Sequence, residues 1–382
     1  MLVLIQSTFK DIMVIFVRSA TDETKQSLLT ERMPPTSRNM FRKVLATIEI
    51  LVRLALMIIA RFWKMCTTGL LIGTLLFWTE GGSYAFCFFV LGVFGLMYHA
   101  QDMLLYHPDS PPDSRIMVIT PDAFQMPFEN HFIRTKDGTR INVVLIKQMH
   151  RSALTVVFFH GNAGNIGHRL QNALGIYSVL NANILMVEYR GYGKSEGNIS
   201  ESGLYQDAEA AMDFLLKRPD IDPTQIVVFG RSLGGSVAIY LASSQFYGPK
   251  IAAVILENTF TSIYDMSLKI LRLACIKYIP GWCYKNKFPS VQRIELISTP
   301  ILFLSGTMDE LVPAKMMKEL YSRSKSNLKR LECFANGTHN DTWMCPGYYE
   351  AWMRFIPEAL RHQPQLTREL DKEYTLGSVV SI

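Results

Sequence analysis

Residues 226–235 read Ile226-Val227-Val228-Phe229-Gly230-Arg231-Ser232-Leu233-Gly234-Gly235. The first four, β-branched or aromatic and wholly apolar, predict a buried strand, and the run from Gly235 to Ser243 predicts a helix. Between them lies a G-x-S-x-G turn, the context in which a serine is lifted out of a strand end as a nucleophile. Glycine is needed there because the turn is sharp and a Cβ would meet neighbouring backbone. A helix starting just after Ser232 also aims its first amides and its dipole at any negative charge that develops nearby. Two glycines and a serine recur by chance, so the strand before and the helix after give the motif its weight.

Outward from this elbow the chain alternates short β-rich runs with longer helical patterns. The predicted strands are Phe132 to Arg134, Asn142 to Lys147, Thr155 to Phe159, Ile184 to Val187, Ile226 to Phe229, Ala253 to Leu256, Ile301 to Ser305 and Lys329 to Cys333. Eight such runs predict the α/β-hydrolase fold, a mostly parallel eight-stranded sheet with helices on both faces and chemistry at the carboxyl ends of the strands. After Phe159 the sequence His160-Gly161-Asn162-Ala163-Gly164-Asn165 is the turn expected after the third strand. One of its amides, assigned to Asn162 within one residue, would pair with that of Leu233 as an oxyanion hole. His160 reads as structural, and Glu188 to Ser195 as a structural turn whose charges need no catalytic role.

The acid and base should follow the serine in that order, each after a late strand. Strand Ile301 to Ser305 leads to Met308-Asp309-Glu310, and strand Lys329 to Cys333 leads to Gly337-Thr338-His339. Asp309 and Glu310 compete for the acid; Asp309 is nearer the strand end, while Asp265 and Asp341 are poorer placed. Of eight histidines only His339 fits both order and context. The chemistry expected is nucleophilic: His339 takes the Ser232 proton as the serine attacks a carbonyl, and Asp309 holds the imidazole tautomer.

At 382 residues and 49% hydrophobic, the chain is large for one domain, and its apolar excess lies between about Val44 and Tyr98. The division expected is a basic and apolar N-terminal segment 1–64 on the cytoplasmic side, a membrane region 65–99 with its main span at about 81–99, a catalytic domain 100–362 with a lid at 258–299, and a tail 363–382. Trp78, Tyr84 and Tyr98 would be interfacial aromatics. Basic residues Arg42, Lys43, Arg53, Arg61 and Lys64 precede the span, which sets the N-terminus in the cytoplasm and a single-span domain in a lumenal or extracellular space. The run Met65 to Trp78 leaves a second span in a tight hairpin open, and that would return the domain to the cytoplasm. Val44 to Ala60 reads as amphipathic.

The net charge of +6 comes without the interleaved basic and aromatic stretches of a nucleic-acid groove, so nucleic acid is not an expected partner. No Cys/His spacing suits zinc, and no metal or organic cofactor is expected. Pairings such as Cys275 with Cys283 or Cys333 with Cys345 are open beside free thiols. The sequons at Asn198, Asn336 and Asn340 can carry glycans only outside the cytoplasm. In the lid, Leu268, Leu271, Ile276 and Ile279 would line an acyl path or pack on the sheet.

The stretches HGNAGNIGHRL (160–170), YRGYGKSEG (189–197), FGRSLGG (229–235), WCYKNKF (282–288) and GTHNDTW (337–343) together resemble the membrane α/β-hydrolase domain-containing proteins, from about Met40 to the C-terminus. The resemblance implies a single-pass type II membrane protein and a serine hydrolase, with nucleophile, acid and base on Ser232, Asp309 and His339. It supplies no substrate. An ester or thioester with an apolar acyl group, from a small molecule or a lipid, is the expectation; an amidase or peptidase would use the same residues, and a silent membrane-anchored binding module is the alternative of a different class.

Overall fold

The computed structural model describes residues 48–49, 52–148, 154–271 and 277–362. The first 47 residues and the tail expected at 363–382 lie outside them, as do Cys275 and Ile276. The chain forms two compact units, up to Leu96 and from Met97 onward.

In the first unit, helix α1 (Val52–Arg61) meets α2 (Trp63–Thr79) at 89°. Glu80 and Gly81 then turn the chain, Gly81 with φ of +95°, into α3 (Gly82–Leu105), the one described helix long and apolar enough to cross a membrane unbroken. At about 1.5 Å per residue its 24 residues exceed the roughly 30 Å of a bilayer core. The stretch Met65 to Trp78, one of two apolar runs in the sequence, is thus part of a helix of its own, which approaches α3 where a Cβ at Gly73 would lie 3.8 Å from the Phe88 ring.

In the second unit eight strands form one sheet: β1 (Phe128–Arg134), β2 (Arg140–Ile146), β3 (Thr155–Phe159), β4 (Asn183–Glu188), β5 (Ile226–Arg231), β6 (Ala253–Glu257), β7 (Ile301–Gly306) and β8 (Lys329–Phe334). Their order is β1-β2-β4-β3-β5-β6-β7-β8. Only β1 with β2 and β2 with β4 pair antiparallel; the α/β-hydrolase sheet read from the sequence is present. Every residue of β3, β4, β5, β6 and β7 is buried, as a parallel sheet covered on both faces requires.

Alternate residues feed two cores. Val157 and Phe159 pack with α5 (Glu201–Leu216), α6 (Leu233–Ser243) and, through Met317, α9 (Ala314–Arg323). Val156 and Phe158 pack against α4 (Leu170–Leu180) and α10 (Tyr348–Arg361). From β3 the chain moves outward to β4 on one side, and from β5 to β6 on the other, so the crevice between the ends of β3 and β5 is the topological switch point where ligands bind in such sheets. The expected lid holds α7 (Ile263–Leu271), a 3-10 turn at Gly281–Cys283 and the short α8 (Ser290–Arg293). Its Met266 and Ile263 pack on the core, whereas Ile279 is exposed. Cys283, Cys333 and Cys345 are free thiols, so Cys333 and Cys345 are not bridged.

Candidate active site

Ser232 sits at the end of β5 with φ of +54° and ψ of −116°. For a non-glycine residue this is strained backbone, and the packing around it must hold it there. The holding contacts are close. A Cβ at Gly234 would lie 2.0 Å from the Phe159 carbonyl oxygen, and one at Gly230 would lie 2.2 Å from the Gly234 oxygen. The Ser232 amide donates to the Glu257 carbonyl at 2.9 Å. Beneath the elbow, buried Arg231 pairs with Glu257 (Nε to Oε1, 2.9 Å) and donates to Asn172 at 3.0 Å, while the Tyr348 hydroxyl donates to the same carboxylate at 2.6 Å.

Three loops bring the side chains together. His339 Nε2 lies 3.0 Å from Ser232 Oγ, and its Nδ1 lies 2.7 Å from Asp309 Oδ2. Asp309 is buried, and its Oδ1 accepts the amides of Leu311 at 2.9 Å and Val312 at 2.8 Å. These bonds fix the carboxylate plane, so one oxygen is left for the imidazole. Glu310 is exposed; Asp265 bonds to Thr261 and Ser262 at the start of α7. Asp341 accepts the Thr338 amide at 2.7 Å, and the Thr338 hydrogen bonds hold its carboxyl below the usual range. Asp341 thus shapes the loop that carries His339.

The 160–166 loop borders the serine from the other side: a Cβ at Gly161 would lie 3.8 Å from Ser232 Cβ. Its peptides are held individually. His160 Nδ1, which must carry a proton to bond a carbonyl, donates to Gly161 O at 2.7 Å. Because that peptide is planar and trans, the Asn162 N–H points to the opposite side. Tyr192 donates to the Asn162 carbonyl at 2.8 Å, Tyr189 to the His160 carbonyl at 3.1 Å, and burial pushes both phenols up, keeping them neutral donors. Among the described residues neither the Asn162 nor the Leu233 amide donates to any protein group.

Two further residues support the site, one in the 188–195 turn and one that the sequence reading did not single out. Glu188, fully buried, faces His160 Nε2 at 3.2 Å, too oblique for a hydrogen bond, and accepts the Ile166 amide. With Tyr189 and Tyr192 it makes the 188–195 turn the underside of the 160–166 loop. Asn258, at φ of +47°, accepts the Gly306 amide at 2.8 Å and donates to the carbonyls of Thr338 at 3.1 Å and His339 at 3.2 Å. It ties the strand end leading to Asp309 to the loop of His339. Asparagine tolerates that positive φ better than most residues do. Asn198, Asn336 and Asn340 are all exposed. No group of three or more metal-ligating side chains is found among the described residues.

Residues 155–274 match the family model described as the alpha/beta hydrolase fold. Protein bem46 of Schizosaccharomyces pombe is 38% identical over 273 residues, covering 69% of this chain and 88% of its own. The Arabidopsis thaliana alpha/beta hydrolase domain-containing protein WAV2 is 36% identical over 75% of this chain and 96% of its own. A Saccharomyces cerevisiae relative, named as an uncharacterized membrane protein, is 35% identical over 69% and 90%. Among solved structures, an esterase of Pyrococcus furiosus matches with a TM-score of 0.52 at 20% identity, over 65% of this chain and 95% of its own. At that identity the likeness is one of fold.

Proposed function

This chain belongs to the α/β-hydrolase domain-containing proteins, and from that premise we propose that it is a serine hydrolase cleaving an ester or thioester of an apolar acyl group through an acyl-enzyme. The observation that carries the reading is the continuous relay from Ser232 Oγ through the His339 ring to Asp309. His339 takes the serine proton as Oγ bonds to the substrate carbonyl carbon. The oxyanion is held by the amides of Leu233 and Asn162, each such donor worth about 3 kcal/mol. His339 then protonates the departing alkoxide or thiolate. In the second half, water loses a proton to His339, attacks the acyl carbon and releases the acid, and the proton returns to Ser232. Every proton is accounted for by the chain and water.

Exposed Met308, Leu311 and Met344, close in sequence to Asp309 and His339, support an apolar acyl group, drawn from a small molecule or a lipid. A fluorophosphonate probe tests the activation of Ser232: the full-length protein should label, and Ser232→Ala and His339→Ala should not, with acyl-ester turnover falling about 10⁴-fold or more in each. A folded wild type that takes no label would leave a binding role as the better reading.

Membrane attachment through α3 fits this chemistry, and a single span with the N-terminus in the cytoplasm places the catalytic domain outside it. The approach of α2 to α3 at Gly73 and Phe88 supports a second arrangement, a hairpin with both ends on one side. The exposed sequons separate the two. A gel shift on glycosidase treatment, lost when Asn198, Asn336 and Asn340 are replaced together by glutamine, requires the single span; an unglycosylated protein with a cytoplasmic, protease-accessible domain requires the hairpin.

A further inference from the structure

The cap that follows β6 carries an apolar surface that the relay does not use. Tyr278 is 82% and Trp282 69% exposed, and Ile279 is exposed between them in the sequence. Aromatic and aliphatic side chains exposed at this density mark a surface that meets another apolar phase. The charge of the stretch is one-sided. From Lys277 to Lys287 it reads KYIPGWCYKNK, with three lysines and no carboxylate, and Lys277 and Lys287 are exposed.

This cap is fastened to the end of the apolar helix α3. Gln101 donates to the Cys283 carbonyl at 2.8 Å and accepts the Lys285 amide at 2.9 Å, as a neighbouring strand would. Asp102 accepts Asn286 Nδ2 at 2.7 Å and pairs with the Lys285 ammonium. Tyr106 donates to the same asparagine at 2.9 Å. Gln101 stands three residues past Tyr98, about 4.5 Å along the helix axis. Residues 283–286 are thus tied to α3 within about two helical turns of Tyr98.

We propose that residues 277–287 form an interfacial foot, with Tyr278, Ile279 and Trp282 among the headgroups and first acyl carbons of the leaflet on the catalytic domain's side, and Lys277 and Lys287 beside lipid phosphates. Tyrosine and tryptophan favour that layer because one end of each ring system is apolar and the other bonds to water, and lysine adds attraction to anionic lipid. The foot rests on α3 spanning the membrane and holds for either number of spans. It also deepens the hydrolase reading, because the cap leaves the carboxyl end of β6, the edge of the sheet that carries Ser232. The foot then anchors that edge of the sheet at the leaflet from which an acyl substrate would be drawn.

Full-length protein in phosphatidylcholine–phosphatidylserine vesicles, brominated on the acyl carbons nearest the glycerol, tests the foot directly. Bromine should quench more tryptophan emission in the wild type than in Trp282→Phe; equal quenching puts Trp282 away from lipid and overturns the proposal. Phenylalanine keeps an exposed ring, and near-ultraviolet circular dichroism checks the fold. The double substitution Tyr278→Asp, Trp282→Asp should keep hydrolysis of water-soluble p-nitrophenyl acetate and lose about tenfold or more on a long-chain ester embedded in vesicles, because lifting the rings out of lipid costs at least 1.4 kcal/mol. Full retention on the embedded ester overturns the foot. A protein quenched at Trp282 that takes no fluorophosphonate keeps the foot and ends the hydrolase reading; one labelled but not quenched does the reverse.

Discussion

His160 touches neither the serine nor the carboxylate of the relay, yet its ring orients the peptide that borders the nucleophile. Its Nδ1 draws the Gly161 carbonyl to one side, and peptide planarity sends the Asn162 N–H to the other. Tyr192 fixes the next carbonyl, so rotation of that N–H is opposed at both neighbouring peptides. Removing the ring frees the Gly161 peptide to turn its N–H away from a developing oxyanion. His160→Ala should therefore lower kcat by about 10²-fold with KM little changed, since a donor used only in the transition state acts on the chemical step. A variant that loses thermal stability but keeps kcat would reduce His160 to a packing role. The sequence reading took His160 as structural and 188–195 as a structural turn whose charges need no catalytic role, without joining the two. What it lacked was the third dimension: Glu188 and Tyr192 meet the 160–166 loop only because β4 lies beside β3 in the sheet.

The strand–elbow–helix element depends on an absent side chain. A Cβ at Gly234 would sit 2.0 Å from the Phe159 carbonyl oxygen, and β3 cannot retreat, being bonded to β4 on one side and β5 on the other. Gly234→Ala should lower unfolding stability by about 3 kcal/mol or more, seen as a fall in the urea midpoint at unchanged slope. A variant within about 1 kcal/mol of wild type would mean that the elbow yields. Elements of this kind were legible because local pattern and tertiary role coincide: all eight strands fall on the short runs from which they were predicted. Their ends were less so. β1 starts at Phe128 rather than Phe132, since Phe128 is followed by polar Glu129, Asn130 and His131 on an edge strand, which carry no apolar run to read. Asn258 was not legible at all, because its work is done on loops about 50 and 80 residues further along the chain, which sheet order alone brings to it.

Across the whole catalytic domain, ion pairs join segments that are far apart in the chain, and they give stability a direction with pH. Arg218, just past α5, donates to Glu129 on β1 at 2.6 Å and to Asp220 at 2.7 Å, and Lys147 bridges to the same Asp220 at 2.6 Å. Its hydrogen bonds hold Glu129 down at about 2 and Asp220 well below the usual carboxylate range. Arg190 does the same for Asp137. Each of these carboxyls is more acidic folded than unfolded, so its contribution is fully present above the unfolded value near 4.5 and is lost as pH falls toward 2. Asp207 has the opposite sign. Burial raises it to about 6 despite Arg190, so its ionisation between about 4 and 6 subtracts from stability, and the curve should flatten there instead of climbing. Glu129 and Asp220 are about a third exposed, which limits each to roughly 0.5–1 kcal/mol after screening. The unfolding midpoint in detergent should therefore fall between about pH 4.5 and 2, and Arg218→Gln should make that fall shallower, because both carboxyls then return toward their unfolded values. The comparison is made at low ionic strength and repeated in about 1 M salt, where a Debye length near 3 Å should bring the two proteins' slopes together. An Arg218→Gln protein whose acid slope matches wild type at low salt would show that Arg218 joins β1 to α5 by packing and not by charge.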